Sequence, residues 1–288
     1  MTTMLASGRA QAAARRTTLV ALAGRELRRF AVNPVFLFGV VGLTAWLTST
    51  SPGASVTEID SVNALPAGFL GGIGMMAAFS LTRSMRDSEP VVGVTPTTRP
   101  VRTAALCAVA IVPFLCGWLT LLAFVRVFPI GSPVYGDFSA PAQVAILVGQ
   151  IVVPALGGPL LGVALGRWIR FPGAAFVAFL LIYGWQNLGT ILSLTHPDSA
   201  PRAALRLFSP FAFFTYAGDG PGITLWRGSP WFFLGWQLAL CAIAALVALL
   251  RGAQGRVRSR IVHALLIALA VAAVMFVLTN TVGAVPGA

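Results

Sequence analysis

The chain has 288 residues, of which 57% are apolar and only 10% charged, where a soluble domain carries roughly 25% charged residues. So apolar a chain has too little polar surface to face water, and its mean hydropathy of +0.85 comes in blocks of the roughly 20 residues that cross a hydrocarbon core. It is therefore read as an all-α integral membrane protein. All 20 basic residues are arginine, and the lack of lysine excludes both a Walker A phosphate loop and a Schiff-base lysine. The net charge of +12 does not indicate nucleic acid, because the arginines sit in short segments between apolar blocks, the pattern that sets membrane orientation.

Residues 1–16 are rich in Ala, Arg, Ser, Thr and Gln without apolar periodicity and are expected as a flexible cytoplasmic tail. A signal peptide places its charges before its apolar run; here Arg25, Arg28 and Arg29 follow the weak run 19–23, so the amino terminus is expected to be retained. Across residues 17–33, Leu19, Ala23, Leu27 and Phe30 share one helical face and the three arginines another. That pattern fits an amphipathic helix lying in the membrane interface, or more plainly the charged foot of the first span. Asn33 and Pro34 form a cap and first-turn pair, so a bend and a new helix are expected there.

Seven spans are expected, at about 34–50, 65–82, 102–128, 142–166, 172–194, 231–250 and 261–282. With the amino terminus in the cytoplasm, the inner segments hold Arg9, Arg15, Arg16, Arg25, Arg28 and Arg29, then Arg83, Arg86, Arg99 and Arg102, then Arg167 and Arg170, then Arg251, Arg256, Arg258 and Arg260. Only Arg126, Arg202, Arg206 and Arg227 fall outside, so the bias alternates at every loop as the positive-inside rule requires. Seven spans place the carboxyl terminus outside, in a multi-pass protein of the cell membrane. The outer segment 195–230 is too apolar for a free linker, and short helices broken at Pro210 and near residues 218–222 are expected to fold back against the outer leaflet or the bundle.

Candidates for chemistry are few. All eight carboxylates fall in loops or at span ends, and His196 and His263 lie on opposite sides of the membrane in this topology. An intramembrane acid protease, an acid-based ion-coupled carrier and a zinc site are disfavoured. Cys107, Cys116 and Cys241 sit inside apolar spans as small hydrophobes. Gln150, Gln186, Asn187 and Gln237 are the polar groups within spans; they line a substrate path or, more simply, hydrogen-bond between helices. Gly158, Gly162 and Gly166, and likewise Gly68 with Gly72, repeat at four-residue spacing and suit close helix packing. Pro113, Pro154 and Pro159 are expected to kink the third and fourth spans.

The inner loop at 83–103, RSMRDSEPVVGVTPTTRPVRT, starts with the compact mixed-charge run Arg83, Arg86, Asp87, Ser88 and Glu89, ended by Pro90. Such a tip suits docking to a partner; a solvated loop is the plainer reading. Here the sequence resembles the permease subunits of type-2 ATP-binding-cassette exporters, particularly those of high-GC actinobacteria. The resemblance rests on GRELRRFAVNPVFL (24–37), RSMRDSE and TPTTRPVRTAAL (83–106), and LFSPFAFF with LWRGSPWFFLGWQLAL (207–240). It implies a six-span core over 34–250 that pairs with a second copy or paralogue. It also implies a separate ATPase, carrying ATP and magnesium, docked on the inner loops. Arg83 to Glu89 would be the main coupling helix, Arg167 and Arg170 in the turn 166–173 a second contact, and Arg25, Arg28 and Arg29 the connecting helix. Residues 251–288, with an arginine loop and a seventh span, depart from that six-span core and are expected as an added peripheral helix. Lipid, peptide or hydrophobic small-molecule cargo all suit the path. A membrane scaffold or sensor that docks a soluble partner is the rival reading, and a membrane enzyme a third.

Overall fold

The computed structural model describes residues 2–49, 65–88, 98–131, 139–195, 215–217, 223–225 and 229–281, with side chains described for 17–49, 65–88, 98–131, 139–185 and 229–281 except Asn280. Eight helices carry most of these residues. In chain order they are α1 (Thr2–Ala31), α2 (Pro34–Ser49), α3 (Ile73–Asp87), α4 (Arg99–Val127), α5 (Ala140–Trp168), α6 (Ala174–Thr195), α7 (Pro230–Leu250) and α8 (Gly255–Thr281). Four of them, α4, α5, α7 and most of α8, are long and apolar enough to cross a membrane. The second half of α1 with α2 makes a fifth such element if the two are taken together across their 56° bend.

Local sequence explains where these helices start and stop. Asn33 accepts a hydrogen bond at Oδ1 from the Val35 backbone N–H at 2.9 Å, and Pro34 at the first helical position lacks an N–H that would be an orphan there. The bend between α1 and α2 thus follows from two adjacent residues. Upstream, α1 begins at Thr2, so the stretch expected as a tail continues the helix; Ala6, Ala10, Ala12, Ala13 and Ala14 are the strongest helix formers available.

Prolines mark departures from α-helical winding. A 3₁₀ turn at Ala108–Ala110 precedes Pro113, whose missing N–H leaves the Val109 carbonyl without its i→i−4 donor. A π turn at Val148–Val152 precedes Pro154 in the same way, and a second π turn, Ala67–Gly72, follows Pro66 and leads into α3.

The helices pack around α5. Its best membrane-length window is 78% buried within the chain, against 6% for that of α8, which makes α5 the axle of the bundle and α8 a peripheral helix. The largest cluster of buried residues joins Phe30 of α1, Phe36 of α2, Ala77 of α3, Leu106 of α4, Val163 of α5 and Ala248 of α7. By contrast, α8 reaches the bundle mainly through α7, where Phe276 packs on Trp236 with ring centroids 5.7 Å apart.

Glycine sets the closest approach. A Cβ at Gly158 would overlap the backbone of Gly71, and one at Gly162 would overlap the Met75 carbonyl. At Gly166 it would stand 2.7 Å from the Thr82 side chain. The expected four-residue glycine repeat is therefore the seam between α5 and α3. On the opposing strip the position is Gly71, not Gly68 or Gly72: nothing approaches Gly68 within 4 Å, and Gly72 faces the Phe179 ring. The π turn over Ala67–Gly72 is the reason, since wider winding breaks the i, i+4 alignment that four-residue spacing assumes.

Between α6 and α7, Thr215–Ala217 pairs antiparallel with Ile223–Leu225, Tyr216 opposite Thr224. This corrects the expectation of short helices there; β-branched and aromatic residues at these positions favour extended pairing. Pro210 and residues 218–222 lie outside the described residues.

Candidate functional site

The arginine-rich connections meet at one end of the bundle. A helix leaves its last carbonyls without intrahelical partners, and at the end of α5 two guanidiniums from other helices take them. Arg86, in the last turn of α3, donates from Nη1 to the carbonyl oxygens of Gly166 at 3.1 Å and Ile169 at 3.0 Å. Arg251, just after α7, donates from Nη1 to the Trp168 carbonyl at 2.9 Å. Cations at a helix C-terminus also oppose the negative end of its dipole.

Further contacts lock the same end. The Trp168 indole N–H donates to the Val247 carbonyl at 2.9 Å, while the Arg251 guanidinium stands 5.2 Å from the centroid of the Trp168 ring, within cation–π range. A Cβ at Gly252 would come 3.0 Å from that of Arg99, so the turn after α7 touches the start of α4. The ends of α3, α5 and α7 and the start of α4 thus form one platform.

On this platform Arg83 and Asp87 pair at 3.6 Å, and Arg86 lies 3.8 Å from Asp87. Ser88 donates its hydroxyl to the Ser84 carbonyl at 2.7 Å, closing α3. Asp87, Ser88 and Arg170 are exposed, Arg83 and Arg86 half-buried. Arg167 differs from its expected place in a docking turn, because it lies in the last turn of α5 facing the bundle and is only 8% exposed. Glu89 lies outside the described residues.

Beside the platform, α1 lies along the start of α4. Arg25 and Arg28 are exposed and Arg29 is half-buried, as the amphipathic pattern expects. Sequence reasoning missed Glu26, whose side chain is 4% exposed and accepts from Arg29 at 3.1 Å. Its spacing from Ala23 and Phe30, three and four residues, places it on the buried face, and that signal was legible. Arg102, in the first turns of α4, is also buried.

Of the polar residues expected along a path, the structure brings two elements together. Gln150 lies in the π turn Val148–Val152 of α5, and Gln237 of α7 packs against that turn: a Cβ at Gly149 would stand 2.9 Å from Gln237 Oε1. Gln237 is fully buried, and among the described residues neither atom of its amide has a hydrogen-bond partner. The side chains of Gln186 and Asn187 lie outside the described residues, as does His196. His263 sits exposed on α8 and donates from Nδ1 to the Ser259 carbonyl at 2.7 Å, a contact within its own helix.

No protein-family model matches this chain, and neither a curated protein nor a solved structure matches it.

Proposed function

We propose that this chain is the membrane-spanning permease subunit of an ATP-driven exporter of the type-2 ATP-binding-cassette class. In this reading all seven apolar segments span the bilayer, six of them forming the core. The amino terminus and the arginine platform face the cytoplasm, where positive charge is retained, and the carboxyl terminus lies outside. A separate ATPase binds ATP and magnesium, since the chain has no lysine for a phosphate loop. A second copy or a paralogue completes the path for a lipid-like, peptide or hydrophobic cargo.

The observation that carries this reading is the bridge from Arg86 to the end of α5. A force applied to the tip of α3 by a partner reaches the buried axle of the bundle directly, then travels along the glycine seam that α3 and α5 share. The sequence resemblance over residues 24–37, 83–106 and 207–240 supports the same assignment.

The test is purification from native membranes followed by reconstitution. A stoichiometric soluble ATPase should accompany the chain in the detergent extract. In proteoliposomes, Arg86→Gln combined with Asp87→Asn should leave ATP hydrolysis by the partner intact and remove transport. Unchanged transport in that double variant would overturn the coupling role, and extraction without any ATPase would favour the scaffold reading instead.

A further inference from the structure

From the α3 edge of the platform, a groove of about 460 Å³ runs between α3 and the start of α6, a volume typical of ligand sites, which span about 300–1,000 Å³. Its composition changes along its length. Met76, Phe79 and Phe176 line one end, and Arg83, Ser84 and Asp87 line the other. Met76 and Asp87 are eleven residues apart on one helix, roughly 16 Å at 1.5 Å per residue, and one leaflet of hydrocarbon is about half of a 30 Å core. The groove therefore turns from apolar to ionic over the thickness of a single leaflet.

Charge selects the occupant. Asp87 lies 3.6 Å from Arg83 and 3.8 Å from Arg86, so among the described residues one carboxylate is shared between two guanidiniums and the rim is net positive. Arg170, two residues before Pro172 of the lining, is exposed and adds to it. Phe176 is 54% exposed and faces the groove. An acyl chain fits the aromatic end, and a phosphate, which arginine pairs with bidentately, fits the Arg83 end.

We propose that this groove binds one anionic phospholipid of the adjoining leaflet, its phosphate at Arg83 and an acyl chain along Met76, Phe79 and Phe176. The proposal needs only a membrane-embedded bundle and does not depend on the exporter reading. In the purified full chain, native mass spectrometry after addition of phosphatidylglycerol or phosphatidylcholine of matched chains reads the site. Phosphatidylglycerol should be retained at least about fivefold more than phosphatidylcholine, the scale of one arginine at an anionic headgroup. Arg83→Gln should bring its retention down to that of phosphatidylcholine, and Ser80→Phe, which fills the groove from its wall, should remove retention of both. Equal retention of the two lipids by the unaltered chain, or undiminished phosphatidylglycerol in either variant, overturns the proposal. Shielding of a Ser84→Cys thiol by a co-purified protein, with lipid making no difference, would assign the groove to a protein partner and overturn it as well.

Discussion

Arg86 donates to the carbonyl oxygen of Gly166 at 3.1 Å across 80 residues of sequence, and through that bond the tip of α3 becomes the cap of α5. Two segments that sequence separates into different loops are thereby one mechanical unit. Replacing Arg86 by Ala removes two charge-assisted bonds, one to the partly buried Gly166 carbonyl and one to the exposed Ile169 carbonyl, and should cost about 1–3 kcal/mol. Arg86→Lys, with a point charge in place of a fork, should recover part of that. Thermal unfolding in detergent, followed by a thiol-reactive dye, orders the three chains.

The glycine seam separates positions that look alike in sequence. Gly158→Ala should leave no well-packed bundle, because the added methyl meets the backbone of Gly71 rather than a side chain able to move. Gly24→Ala is the contrasting case. Gly24 lies within α1 with nothing inside 4 Å, so gaining a Cβ should stabilise by roughly 0.5–1 kcal/mol. Size-exclusion profiles and melting temperatures of the two variants should diverge in opposite directions from the parent.

Gln237 buries an amide that no group among the described residues satisfies, at a cost of about 1–3 kcal/mol. Gln237→Leu, close in size and without polar atoms, should raise the melting temperature. If that amide serves the transport path, the stabilised variant should also transport more slowly. A Gln237→Leu chain no more stable than the parent would mean that the amide is satisfied in the membrane.

Trp168 and Arg251 share both a carbonyl hydrogen bond and a ring contact. Arg251→Ala and Trp168→Phe should therefore be non-additive in stability, with a coupling energy of about 0.5–3 kcal/mol from a double-mutant cycle. Independent losses would show that the two residues hold the platform separately.

Much of the fold is legible because it is local. Apolar blocks near 20 residues, each bounded by arginine, proline or glycine, mark the helices to within a few residues, and Asn33 with Pro34 marks the bend. The four-residue glycine repeat on α5 marks its packing face. Glu26 was legible too, from its spacing to Ala23 and Phe30, although a lone acid among three arginines reads first as part of a charged face. The paired strands at Thr215–Ala217 and Ile223–Leu225 were not legible, since three-residue strands carry too little pattern to outweigh the apolar residues around them.

The sequence by itself determined that this is a membrane protein of long apolar helices, where most of those helices begin and end, and which connections carry the arginines. Each of these depends on residues within one or two turns of each other, where hydropathy, proline and capping act. Only the tertiary structure decided that Arg86 caps α5, that Arg167 turns inward, that Gly71 rather than Gly68 meets Gly158, and that Gln237 faces Gly149. Those pairings depend on how each helix is rotated about its axis against its neighbours. The π turns at Ala67–Gly72 and Val148–Val152 shift that rotation, and apolar composition, nearly uniform around each span, does not encode it.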